Sequence, residues 1–117
     1  MGKLTTHVLD TTHGKPAGGM IIELYRVERE GPSLLKTVTT NADGRLDEPL
    51  LEGDDLLNGV YELVFHVGEF FAHQSGDPVR PRFLDLVPVR FGVSHPQTNY
   101  HVPLLCSRWA YSIYRGS

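Results

Sequence analysis

His7, Arg45 and His101 are side chains whose chemistry a folded sheet of this size does not need. His7 falls in mid-strand on the face opposite Leu4 and Val8, and His101 falls in mid-strand among Tyr100, Val102 and Leu104. Arg45 follows directly on the Asp43-Gly44 turn. Imidazole is the side chain best suited to proton transfer near neutral pH. A guanidinium offers a fork of donors for a carbonyl-rich or anionic ligand. The chain end, Tyr111 to Ser117, adds an aromatic hydroxyl at Tyr114, a guanidinium at Arg115 and a terminal carboxylate, all within four residues. An outward strand histidine is more often merely solvated, and chain ends are usually disposable, so each of these groups alone carries little.

Other chemistries find less support. The remaining histidines, His13, His66, His73 and His95, lie in turns or on an ordinary strand face and read as structural or solvated. There is no HxH, HExxH or paired-cysteine spacing, so a metal site is not expected. Cys106 follows Leu104 and Leu105 at the end of a strand, which predicts an inert buried thiol. A GxSxG serine nucleophile is also missing. The expected chemistry is therefore acid–base rather than covalent.

These groups must be positioned by strands. Twelve glycines and eight prolines cut the chain into short pieces that alternate with period two. Strands are predicted over Leu4 to Leu9, Met20 to Val27, Leu34 to Thr40, Gly59 to Val67, Leu84 to Val93, Asn99 to Cys106 and Trp109 to Arg115. Arg45 to Leu51, interrupted by Pro49, reads as a short edge strand or a loop, and Pro88 marks its own strand as an edge. Charged turns are expected at Glu28 to Ser33 and at Asn41-Ala42-Asp43-Gly44, and a loop over Ser75 to Arg82. Glu69 to Gln74 suits one or two helical turns. Seven or eight strands at spacings near ten residues predict an all-β antiparallel sandwich with one short helix.

Composition narrows the class. At 117 residues the chain has room for one domain, taken as residues 1–117. Eleven Lys and Arg against fourteen Asp and Glu give a net charge of −3, with no basic run, so nucleic acid is not an expected partner. A hydrophobic content of 40% with 21% charged residues is that of a globular protein, and no apolar stretch is long enough to cross a membrane. The single cysteine favours a reducing compartment, and Lys3, Leu4 and the threonines after them do not resemble a secretory leader, so a cytoplasmic location is expected. Met1 to Thr6 fits a loose myristoylation pattern but continues into an alternating strand, and it is read as a plain N-terminus.

The chain resembles the transthyretin-related 5-hydroxyisourate hydrolases. The matching blocks are Thr6-His7-Val8-Leu9-Asp10 with Gly14-Lys15-Pro16-Ala17, then Thr40 to Arg45, Gly59 to Leu63, Tyr100 to Leu105, and the terminal Tyr114-Arg115-Gly116-Ser117. That last tetrapeptide looks like the signature separating the hydrolases from the hormone-carrying transthyretins. The segment Gly76 to Asp85 looks longer than usual for such proteins, and Cys106 and Trp109 stand where other residues are expected.

The resemblance implies a transthyretin-like sandwich assembled as a homotetramer, a dimer of dimers, with His7, Arg45 and His101 catalytic. Tyr114, Arg115, Gly116 and Ser117 would bind a purine-derived small molecule in a cleft between dimers. The implied reaction opens 5-hydroxyisourate to 2-oxo-4-hydroxy-4-carboxy-5-ureidoimidazoline, in the urate-to-allantoin branch of purine catabolism, without a cofactor. The sequence leaves open which histidine is the base. The alternatives are a non-enzymatic carrier of small aromatic ligands and a sandwich interaction module with no small-molecule site.

Overall fold

A computed structural model describes residues 1–76 and 78–117, so Asp77, inside the expected Ser75 to Arg82 loop, lies outside the described residues. The described residues form β1 (Lys3–Asp10), β2 (Lys15–Pro16), β3 (Ile21–Glu28), β4 (Gly31–Thr39), β5 (Leu51–Glu52), β6 (Gly59–His66), α1 (Val67–Ser75), β7 (Leu86–Val93), β8 (Tyr100–Cys106) and β9 (Tyr111–Ile113). They make two sheets. One runs β2-β1-β8-β9 with β5 also paired to β1, and the other runs β4-β3-β6-β7. The expected all-β sandwich with one short helix is what folds.

Period-two alternation builds the interior. Tyr61, Leu63 and Phe65 of β6 are all but fully buried, facing Leu4 and Val8 of β1 and Leu104 of β8 in a single core cluster. Polar groups that enter this core are bonded. The Thr6 hydroxyl donates to the Val102 carbonyl at 2.8 Å, the Thr40 hydroxyl donates to Ala17, and the buried Asp10 carboxylate takes the backbone and ring N–H groups of His13. Burial pushes the Cys106 thiol up to about 12, with the Asp10 charge adding to the effect, so this cysteine is inert as expected.

Several boundaries differ from the sequence reading. The hairpin after β3 is tighter than Glu28 to Ser33, because Gly31 takes φ +116° and lets β4 start at once. Pro32 is tolerated inside β4 because that strand is a sheet edge. The helix begins earlier than Glu69, since Val67, Phe70 and Phe71 at helical spacing all reach the core, and it stops where left-handed Gly76 returns its N–H to the Ala72 carbonyl. Of Arg45 to Leu51 only the last residue enters a strand. Trp109, one of the unusual residues, is exposed and packs its ring 5.9 Å from that of Phe83.

The pairing that matters most was not expected. β1 and β8 run parallel, with Thr5 opposite His101 and His7 opposite Pro103, whereas the other strand pairs are antiparallel. The odd-numbered side chains of β1 and those of His101 and Pro103 thus share the outer face of one sheet.

Phe65 is fully buried in the centre of this core. Phe65→Ala should lower the unfolding free energy by about 3–5 kcal/mol, measured by urea denaturation of the intact protein.

Candidate active site

On that outer face, His101, Arg45, Thr5, Lys3, Asn99 and Ser117 line a cleft of about 360 Å³. His7 stands beside it, close enough that its charge and that of Arg45 both act on His101. The three residues singled out in the sequence therefore come together from β1, the loop after the Asn41 turn, and β8.

Local structure explains how each is held. Gly44 has φ +73°, and a Cβ there would stand 2.3 Å from the Val8 carbonyl oxygen, so only glycine lets the turn press onto β1. The contact is closed by the Val8 N–H donating to the Gly44 carbonyl at 2.8 Å. Asn41 shapes the turn from within, its side-chain oxygen accepting the N–H groups of Asp43 at 2.9 Å and Arg45 at 3.1 Å. Its amide donates to Asp47, and its backbone N–H to the Arg45 carbonyl.

The docked turn also sets His7. His7 Nε2 lies 2.9 Å from the Asp43 carbonyl oxygen, which can only accept, so Nε2 carries the hydrogen and the lone pair of neutral His7 is on Nδ1. His101 Nδ1 is 2.8 Å from the Thr5 hydroxyl. Partial burial lowers the His101 pKa below the ordinary 6.5, and the nearby Arg45 and His7 charges lower it further. Both effects favour the neutral imidazole of His101 over the imidazolium.

The terminal tetrapeptide divides. Gly116 N–H donates to the His101 carbonyl at 2.8 Å, and a Cβ on Gly116 would stand 2.7 Å from the ring carbon Cδ2 of His101. The missing side chain lets the tail lie against the imidazole, which carries Ser117 into the cleft. Tyr114 and Arg115 line a different cleft, of about 340 Å³, with Phe91 and Tyr100. Arg115 sits 4.0 Å over the Tyr100 ring and donates to the Asn99 carbonyl at 3.0 Å, which pins the tail next to β8. The Tyr100 hydroxyl in turn accepts the N–H groups of Ser94 and His95 at 3.1 Å each.

Thr5, Asn41 and Gly44 were not singled out in the sequence as site residues. The only signals were the face Thr5 shares with His7 and the turn chemistry of the Asn41 to Gly44 segment.

A larger cleft of about 450 Å³ lies against α1 and includes His66 and His73. Both His66 nitrogens are committed there, to Glu23 at 2.9 Å and Glu69 at 3.5 Å, which leaves no free nitrogen for a substrate proton. Among the described residues, no three His, Cys, Asp or Glu side chains are arranged to hold a metal ion.

Residues 4–116 match the model of the HIUase/Transthyretin family. The chain belongs to this family. It is 53% identical over 116 residues to 5-hydroxyisourate hydrolase 2 of Rhizobium meliloti, covering 99% of this chain and 97% of that one. Among solved structures it is similar to (S)-allantoin synthase, with a TM-score of 0.91 and 46% identity over 99% of this chain, although it spans only 44% of that longer protein. It is likewise similar to the 5-hydroxyisourate hydrolase of Klebsiella pneumoniae, with a TM-score of 0.80 and 30% identity, covering 100% of this chain and 94% of that one.

Gly116→Ala should lift the tail from His101 while leaving the core intact. The backbone amide at position 116 is expected to exchange with deuterium at least about tenfold faster, with little change in the melting temperature.

Proposed function

We propose that this chain is a 5-hydroxyisourate hydrolase that opens the six-membered ring of its purine-derived substrate with water. The observation that carries the proposal is a polar cleft lined by Arg45 and His101, with His7 near enough to act on His101, in a chain half identical to a protein of that name. The substrate is a small molecule, and the cleft is of small-molecule size.

In the proposed step a neutral imidazole takes a proton from water as the water oxygen bonds to the ring carbonyl carbon. The carbon–nitrogen bond then breaks, and the departing nitrogen receives the proton. Proton transfer by a positioned imidazole typically contributes about 10² to 10⁴ in rate. Arg45 would hold the negative charge that develops on the attacked oxygen, as a preorganised donor does in a tetrahedral intermediate. Gly116 and Ser117 would form part of the cleft wall beside His101. Arg115 would secure that tail through Tyr100, and Tyr114, 58% exposed, would meet substrate only across a subunit boundary.

Residues 1–117 are read as one transthyretin-like domain that works as a homotetramer in the cytoplasm. No described helix is long and apolar enough to cross a membrane. Two-fold pairing would close the outer face of the β1-β8 sheet against a second copy and exclude bulk water from the cleft. The carrier reading is disfavoured by the charged lining, which includes Lys3, Arg45, Asp47 and Glu48.

The test is spectroscopic. Urate is oxidised enzymatically, and the decay of the transient hydroxyisourate absorbance is followed with and without this protein. His7→Ala, Arg45→Ala and His101→Ala should each slow turnover by about 10² to 10⁴ while remaining folded. Wild-type rates in all three variants would overturn the assignment of these residues.

The pH dependence follows from the His101 shift. The pKa is lowered, so the neutral imidazole persists below pH 6.5 and is lost only as the pH falls through the lowered value. The acid limb of the rate profile should lie below 6.5. Arg45→Ala should move the His101 titration upward when followed by NMR, because a repelling charge has been removed.

A further inference from the structure

We infer that Thr5 is a positioning residue that accepts a hydrogen bond from His101 Nδ1–H and thereby turns the lone pair of Nε2 towards the cleft. The inference rests on the reading of the site given above but concerns a residue and an atom that this reading leaves unassigned.

The geometry is a consequence of register. In the parallel β1-β8 pair Thr5 lies directly opposite His101, so its hydroxyl stands 2.8 Å from Nδ1 without a reach across the sheet. Thr5 is β-branched and held in a strand flanked on both sides, which restricts its χ1 and fixes the oxygen. The tail closes a second side of the ring, with Gly116 against Cδ2. Nε2 is the ring nitrogen left for water or substrate.

A threonine hydroxyl can donate or accept, so the tautomer is decided by what surrounds the ring. The charged and titratable groups facing it are Lys3 and His7 from β1, Arg45, Asp47 and Glu48 from the turn segment, and Ser117 from the tail. Of these, Arg45 is the charged group that acts on His101 most strongly, and its guanidinium can only donate. A lone pair on Nε2 is favoured beside such a group and an N–H is not. The proton of neutral His101 then resides on Nδ1, where Thr5 accepts it. When Nε2 takes a proton from water, the Nδ1–H bond to Thr5 remains and strengthens as the ring becomes an imidazolium.

The decisive measurement is ¹⁵N NMR of the intact protein labelled at histidine, without substrate. The expected result is a protonated Nδ1 and an unprotonated Nε2 for His101. In Thr5→Val the bias should weaken and the His101 titration should move to lower pH, because the cation loses an acceptor. Thr5→Ser should restore both.

In the hydrolysis assay Thr5→Val should lower kcat about tenfold with KM within about twofold, the cost of one hydrogen bond that matters during proton transfer. An Nε2–H tautomer in the wild type would overturn the inference, as would a Thr5→Val titration that stays put or moves upward. A normal NMR result with no hydrolysis by the wild type would instead count against the proposed function and leave the Thr5 assignment standing.

Discussion

The site depends on the parallel seating of β8 on β1. Antiparallel neighbours can be joined by a short hairpin, but parallel neighbours require the chain to cross over, and here the other sheet and α1 intervene between the two strands. That crossover brings residues 96 positions apart in sequence into direct register, Thr5 on His101 and His7 on Pro103. A slip of one residue along β1 would turn Thr5 and His7 into the core and bring Leu4 and Val8 out to solvent. The apolar inner face therefore fixes the chemistry of the outer one. Burial energy that has nothing to do with substrate holds the register that sets His101 in the cleft with His7 on the same sheet face.

Much of this was legible in the sequence because alternation is a local signal. Leu4, Thr6 and Val8 facing inward and Thr5, His7 and Leu9 facing outward follow from period two alone, and the burial of β1 agrees residue by residue. The Asp43-Gly44 turn was likewise visible, since the pair encodes its own backbone conformation. The partner of each strand was not visible. Nothing in the local pattern of β1 says that β8 lies beside it or that the two run the same way, so Thr5 could not be seen as the neighbour of His101.

The limits of the helix and of the last strand illustrate the same division. Glu69 to Gln74 looked like a short helix because its own residues are weakly patterned, whereas Val67 joins only because the core waits for its side chain. In the tail, the tetrapeptide Tyr114 to Ser117 invited a single role in binding. Successive residues of an extended chain point in opposite directions, and the structure separates them accordingly, Arg115 onto Tyr100 and Gly116 onto His101.

Were His101 the base of the proposed reaction, the electrostatics of the cleft would impose a trade on it. Partial burial, with Arg45 and His7 nearby, makes the His101 imidazole harder to protonate, which would weaken it as a base yet favours its unprotonated, available form. The positive field that disfavours an imidazolium favours an anion, so it acts on the reacting carbonyl in the sense that catalysis needs. In the proposed reaction these two effects would partly offset each other if the proton moved from water to His101, because the new cation would then sit beside a new anion and each would screen the other from Arg45. A neutral acceptor at Nδ1 fits this arrangement better than a carboxylate. A carboxylate would raise the pKa, cancel the field of Arg45 and hold His101 charged before the substrate arrived, whereas a hydroxyl orients the ring and leaves the sign of the cleft unchanged.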